Sequence, residues 1–186
     1  MEVLLLSGYR PHPIGLDALE DGEIRLDSQI RSLKEIGLTP IVVLSGNHAD
    51  DVLRVSQQLE SCELVFDAND NSSNLFTNLR SGLHVTKNAC FALPVEIPVP
   101  PEGHWKHLKA ELIREGLLTA HHVIHAFPTE GAAWQHWRGF PLLVTAIGNR
   151  VILDLKTGKG LTDERIRYYR LPSVSSLQHP LRINTV

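Results

Sequence analysis

The sequence predicts an α/β fold: a three-layer α/β/α arrangement around a mainly parallel, twisted sheet, in a single domain covering residues 1–186. Three observations predict it. Short apolar runs recur at Val3–Leu6, Ile41–Leu44 and Cys90–Leu93, as expected of strands buried on both faces. Stretches of helical period lie between them, and strands alternating with helices of ten or more residues mark a parallel sheet covered on both sides. The first run also ends in Ser7-Gly8 and a loop bearing Gly and Pro. Open parallel sheets form their crevice in this way, beyond the carboxyl ends of the strands.

The loop after the first strand runs from Tyr9 to Gly22. Leu26, Ile30, Leu33 and Ile36 then place apolar side chains on one helical face, and Gly37 closes that helix. Ile41–Leu44 is the second strand. Asp50–Leu59 reads as a helix with Asn47 available as its cap, and Glu63–Phe66 as a short strand. Ser72–Val85 is helical, with Leu75, Phe76, Leu79 and Leu83 on its buried side. Cys90–Leu93 is the central strand. Pro94, Pro98, Pro100 and Pro101 then enforce a loop, since proline cannot donate to a ladder. His104–Glu115 forms another amphipathic helix closed by Gly116, and His122–Ala126 and Pro141–Thr145 are further strands.

Composition narrows the function classes. With 42% hydrophobic and 21% charged residues the chain is globular rather than disordered. A net charge of −3 carries no concentration of Lys and Arg, so nucleic acid is not an expected partner. No window approaches the ~18 consecutive apolar residues of a membrane span, so no membrane is expected either. Glu2 leads straight into Val3–Leu6 without the basic flank of a signal peptide, which makes the expected location cytoplasmic. Cys62 and Cys90 border strands and are expected to be reduced, buried thiols.

Leu5-Leu6-Ser7-Gly8 stands where one group of enzymes has L-A-G-G at the end of its first strand; Arg10 matches the arginine of the signature that follows, and Gly15 its glycine. Leu26 to Gly37 and Ile41–Gly46 fit the same group's helix and second strand. Asp67–Leu75 and Leu79–Leu83 look like its loop and helix beside the base and ribose. Phe91–Pro98 stands where its apolar strand ends in a metal-binding Asp, Arg138–Leu143 is similar to its G-x-P segment, Gly158-Lys159-Gly160 to its G-D-x-G turn, and Ile183-Asn184-Thr185 to its I-D-T. In this order the pieces resemble the nucleotide-diphospho-sugar transferase families with their Rossmann-like fold, above all the molybdenum-cofactor guanylyltransferase (MobA-like) group. The resemblance implies transfer of a nucleotidyl group from an NTP to a phosphorylated small-molecule acceptor, with release of pyrophosphate and dependence on Mg²⁺. It implies Arg10 and Glu96 as catalytic residues, Leu6, Ser7, Gly8, Asp67, Asn69 and Asn74 at the nucleotide, and Glu96 and Asn184 at the metal.

The departures fall at the chemistry. Leu16-Asp17-Ala18-Leu19 offers no counterpart to the signature lysine, Glu96 replaces the metal-binding Asp, and Asn184 the late Asp. Between Gly8 and Gly22 Arg10 is the lone cation against Asp17, Glu20 and Asp21, with Arg25 and Arg80 as the nearest further candidates. Phosphoryl centres need positioning and neutralisation of charge, so such a loop would repel a triphosphate unless a cation compensates. Two readings stay open: a Mg²⁺-dependent nucleotidyltransferase, or a catalytically impaired relative serving as a nucleotide- or partner-binding, regulatory module.

Other clusters carry plainer readings. Asp67, Asn69, Asp70 and Asn71 suit a turn and helix start as well as a ligand. His121, His122 and His125 lack an H-E-x-x-H glutamate and read as structural or solvated rather than as a zinc or iron site. Trp134, Trp137 and Phe140 read as core or lid packing, with base stacking or partner docking as the alternative.

Overall fold

The computed structural model of the protein describes residues 1–7, 14–45, 49–67, 75–114, 123–125, 142–154 and 168–170. In chain order these form β1 (Glu2–Ser7), a 3₁₀ turn (Ile14–Leu16), α1 (Arg25–Glu35), β2 (Thr39–Ser45) and α2 (Ala49–Val55). A second 3₁₀ turn (Leu59–Ser61), β3 (Glu63–Asp67), α3 (Leu75–Leu83), β4 (Cys90–Pro94) and α4 (Glu102–Arg114) follow. β5 (Val123–His125), β6 (Leu142–Val144), α5 (Ala146–Asp154) and β7 (Tyr168–Arg170) complete the described elements.

The strands make one sheet in the order β3-β2-β1-β4-β6-β5-β7. β1, β2, β3 and β4 run parallel; β6 is antiparallel to both β4 and β5, and β7 is parallel to β5. The expected mainly parallel α/β sheet is therefore present, with one reversed strand in its far half. Val3 through Leu6 and Cys90 through Leu93 have no exposed surface, as strands covered on both faces must.

Two glycines show how the layers close. A Cβ on Gly82 of α3 would lie 2.9 Å from both Leu4 Cδ1 and Val43 Cγ2. A Cβ on Gly15 would lie 3.1 Å from Ser7 Oγ and 3.6 Å from Cβ of Leu26 in α1. Leu4 and Ser7 are an odd number of residues apart, so they point to opposite faces of β1. α3 thus covers one face, and α1 with the 3₁₀ turn covers the other. A right-handed crossover demands the same, because the chain moves one way from β1 to β3 and the other way from β3 to β4.

Helix ends follow local rules where side chains permit. α1 stops as the sequence predicts: Gly37 has φ +72°, its N–H donates to Lys34 O at 3.0 Å, and Leu38 N–H reaches Leu33 O at 2.9 Å. Those paired bonds satisfy carbonyls that a helix end otherwise leaves open. α2 is shorter than the expected Asp50–Leu59 helix, ending at Val55. The cause is Asp27 of α1, which is 5% exposed. Its carboxylate accepts from the Ser56 hydroxyl, from Gln57 N–H at 2.9 Å and from Gln58 N–H at 3.4 Å, drawing the chain out of helical register.

β4 extends through Pro94, which pairs in register with Leu6. The proline ends the strand rather than preceding the loop, because the ladder asks for no donor there. α4 starts at Glu102, earlier than expected, and docks through buried Trp105. Its ring meets Phe91 edge-on at 4.8 Å, and its Nε1–H donates to Pro100 O at 2.9 Å. α5 and β7 have no counterpart in the sequence reading. Thr145 caps α5 by accepting from Gly148 N–H at 3.0 Å, while Asn149 Nδ2 binds Leu83 O and Thr86 O, each at 3.0 Å.

Both cysteines are free thiols, Cys90 buried and Cys62 half-buried. Burial pushes the Cys90 thiol up to about 12, and Cys62 is raised less far, Lys34 opposing the effect of burial there. Since the thiolate is the nucleophile, iodoacetamide at pH 8 should label Cys62 in the native protein and Cys90 only after unfolding. Peptide mapping checks this; native labelling of Cys90 would contradict its burial. Asp27→Ala orphans buried donors and should lower unfolding free energy by about 2–4 kcal/mol, read from urea denaturation.

Candidate functional site

β1 to β4 are parallel, so their carboxyl ends share one side of the sheet. The chain steps outward from β1 to β3 and then returns to lay β4 on the other side of β1. The strand order therefore reverses between β1 and β4, where open α/β sheets hold their ligands. Ser7 ends β1 on that side, Asp67 ends β3, and Glu96 follows β4 by two residues. Strands are spaced by about 4.8 Å, so Asp67 lies three spacings, about 14 Å, from the end of β4. That span suits an elongated ligand laid across the strand ends and excludes one metal ion shared by Asp67 and Glu96.

Glu96 is held in place by its neighbours. Ile97 N–H donates to Pro94 O at 3.0 Å, closing a β-turn that has Glu96 in its third position. Gln29 of α1 then fixes that turn from below, its Nε2 donating to Val95 O at 3.0 Å and Ile97 O at 2.6 Å. Two carbonyl acceptors leave no doubt about which end of the amide faces them. Val95 N–H donates in turn to Leu6 O at 3.1 Å, tying the turn to β1. Glu96 itself is partly exposed, with one carboxylate oxygen buried.

The other expected site residues occupy distinct positions. Leu6 is fully buried and its carbonyl is taken by Val95, so it forms the floor beneath the crevice. Ser7 is 3% exposed, with Gly15 packed against its hydroxyl. Asp67 is 4% exposed and accepts from Asn78 Nδ2 of α3 at 3.3 Å, which fastens the end of β3 to that helix. Arg10, Gly8, Asn69, Asn74 and Asn184 lie outside the described residues, as do His121, His122, Trp134, Trp137, Phe140 and the segments at 158–160 and 183–185. Among the described residues the structure brings Leu6, Ser7 and Glu96 together and sets Asp67 at the far end of the same edge.

Two of the three carboxylates counted in the loop, Glu20 and Asp21, lie on one turn. Leu19 N–H donates to Glu23 O, Gly22 N–H to Leu19 O, and Ala18 bridges Ile24, making a tight turn with Gly22 at φ +83°. Glu20 and Asp21 sit exposed on this turn, and Asp21 Oδ1 accepts from Glu23 N–H at 3.1 Å. In solvent their charge is screened within about 8–10 Å. Arg80 directs one of its N–H groups at Leu153 O of α5, at 3.1 Å.

Among the described residues no group of three or more His, Cys, Asp or Glu could hold a metal ion. Mg²⁺ and Mn²⁺ nonetheless bind through one or two carboxylates completed by substrate phosphates and water, and Glu96 supplies a hard oxygen donor of that type.

Sequence reasoning passed over Gln29 and Asn78, although a signal was present. Each falls three residues after a leucine on the apolar stripe of its helix, Leu26 and Leu75, where a polar residue is out of place unless it has a buried partner.

No protein-family model matches the chain, and no curated protein matches it in sequence. Solved structures do. A homolog of Mycobacterium tuberculosis Rv0371c from Mycobacterium sp. strain JC1 is 20% identical, with 92% of this chain and 85% of that one covered and a TM-score of 0.58. Rv0371c of Mycobacterium tuberculosis in complex with manganese is 16% identical, covering 92% and 86%, at a TM-score of 0.63. The bifunctional IspDF of Campylobacter jejuni is 9% identical at a TM-score of 0.57; 93% of this chain aligns to 49% of that one. At these identities the likeness is one of fold: the chain has the nucleotide-diphospho-sugar transferase fold.

Replacing Gln29 with Leu removes the amide and leaves the Val95 and Ile97 carbonyls without this donor. Unfolding free energy should fall by about 1–3 kcal/mol. Protection of the Val95–Val99 amides against hydrogen exchange should fall further than that of β2; equal loss in both would mean that Gln29 does not specifically fix the turn.

Proposed function

We propose that this protein is a nucleotidyltransferase, a single-domain member of its fold that moves a nucleotidyl group from an NTP to a phosphorylated small-molecule acceptor and releases pyrophosphate. The observation that carries the reading is the turn bearing Glu96. It is fixed by Gln29 and Leu6 beside the end of β1, at the reversal of strand order.

In this reading an acceptor phosphate oxygen attacks the α-phosphorus of the NTP. The bond from that phosphorus to the bridging oxygen breaks, and pyrophosphate leaves. A divalent cation, Mg²⁺ or Mn²⁺, neutralises charge on the phosphates when bound. Glu96 holds it, with Asn184 as a neutral oxygen donor, and the capture of manganese by Rv0371c, a protein of like fold, supports such a site. Arg10 takes the role of the absent lysine. The base and ribose lie against Ser7, Gly8, Asp67, Asn69 and Asn74, with Leu6 beneath, and the span of about 14 Å between the ends of β3 and β4 leaves room for an extended nucleotide. The resemblance to the molybdenum-cofactor guanylyltransferase group makes a guanine nucleotide the first ligand to try, and a cytoplasmic site of action is in keeping with such substrates.

One observation favours the second reading, a binding or regulatory module without turnover. No lysine stands between Gly8 and Gly22, and Arg80 already gives one N–H group to Leu153 O, so few cations are left for a triphosphate.

Thermal shifts and product assays with NTPs, each with and without Mg²⁺ or Mn²⁺, separate the readings. A ligand at 100 times its Kd adds about 2.7 kcal/mol and should raise Tm by roughly 5–10 °C in a domain of this size. Turnover with release of pyrophosphate, abolished in Glu96→Gln, is the expected outcome. Cation-dependent binding without turnover would favour the regulatory module. No shift with any nucleotide would end the first reading and leave of the second only a partner-binding module.

A further inference from the structure

Val95 and Ile97 are 3% and 7% exposed, so the side chains on either side of Glu96 are buried in the core. Their backbone is held as well. Both carbonyls accept from the single Nε2 of Gln29, Val95 N–H donates to Leu6 O, and Ile97 N–H closes the turn on Pro94 O. Glu96 lies between these two anchored neighbours and is the partly exposed residue of the three.

The donor is itself firmly placed. Gln29 belongs to α1, where Leu26, Ile30 and Leu33 have no exposed surface, and Asp27 ties the same helix to Ser56, Gln57 and Gln58. The residue type also matches the task. Two carbonyls converging on one point need two N–H groups from one atom, which a neutral amide supplies. Asn would fall short by about 1.5 Å, one carbon–carbon bond. An ionised Glu would set a carboxylate against two carbonyls, and Lys would bury a charge.

A cation held by few protein ligands, with phosphates and water completing its shell, depends heavily on where its carboxylate stands. Ordering one residue on binding lowers affinity by roughly five- to thirtyfold. We propose that Gln29 is a positioning residue for the divalent cation at Glu96. Because Gln29 holds the turn before any ligand arrives, binding need not order Glu96, and the strength of the site follows from that. The inference rests on the nucleotidyltransferase reading in one respect, that Glu96 is the carboxylate of the cation.

Mn²⁺ binding to the full chain, followed through the electron paramagnetic resonance of free Mn²⁺ with and without GTP, tests it. Wild type should bind, and Glu96→Gln should abolish binding. Gln29→Met, unbranched and without donors, should weaken it roughly five- to thirtyfold, and Gln29→Asn by as much. Asn149→Ala is the control for lost stability: it removes bonds to Leu83 O and Thr86 O ahead of β4 and should bind Mn²⁺ as wild type does. Hydrogen exchange of the wild type needs no variant to fold. The Ile97 amide should be protected without Mn²⁺, and adding Mn²⁺ should raise its protection no more than that of Leu5 in β1. Undiminished binding by Gln29→Met, an equal loss in Asn149→Ala, or an Ile97 amide protected only with Mn²⁺ would overturn the positioning role and leave Glu96 as the ligand. Mn²⁺ binding that Glu96→Gln does not change, or none in wild type, would instead overturn the cation site and the proposal with it.

Discussion

The candidate site depends on β1 being paired on both sides. β2 and β4 flank it in parallel register, and none of Val3 through Leu6 reaches solvent. A strand so placed must have helices over both faces, and handedness decides which: α1 goes to one side because the chain steps toward β2, α3 to the other because it returns toward β4. The two close approaches, Gly15 over Ser7 and Gly82 over Leu4, allow those layers to sit down fully. Without a β4 beside β1 there would be no reversal of strand order and no crevice for Glu96 to border.

Apolar packing brings these elements together but does not fix their ends. A few buried polar side chains do. Asp27 joins α1 to the chain after α2, Gln29 joins it to the turn after β4, Asn78 joins α3 to the end of β3, and Asn149 joins α5 to the end of α3. Each offers several donors or acceptors to backbone groups that no regular element would satisfy. A hydrogen bond adds little net stability, whereas an orphaned buried partner costs about 1–3 kcal/mol, so these joints select one arrangement over near alternatives.

This division explains what the sequence made legible. β1, β2, β3, β4 and the helices α1, α3 and α4 follow from uninterrupted apolar runs and helical period, both local properties. The stop of α1 at Gly37 is equally local. α5 escaped notice because Gly148 and Asn149 interrupt its pattern and its anchor, Thr86, lies far away in sequence. β7 is three residues long and is specified by its pairing with β5. The early end of α2 could not be read from its own residues, since Asp27 causes it. At the candidate site Glu96 was legible through its place after an apolar run, but Gln29 was not, because its partners are carbonyls more than sixty residues away. The hairpin-like turn that places Glu20 and Asp21 was not legible either, since composition does not reveal it.

The register of β1 with β4 also bears on the time course of folding. Val3 pairs with Phe91, about 90 residues along the chain, whereas Glu2 pairs with Thr39 across fewer than half as many. Closing the longer loop costs roughly 0.8 kcal/mol more entropy before any contact repays it, so β1, α1 and β2 have a head start as a local unit. Our hypothesis is that the crevice is the last part of this half of the sheet to assemble. Pulse-labelled amide exchange would show it as protection in β2 preceding that in β4, and simultaneous protection would refute it. A nascent chain would then expose an unpaired edge of β1 until residue 94 has been made, an interval in which a chaperone, or a second nascent chain, could compete for it.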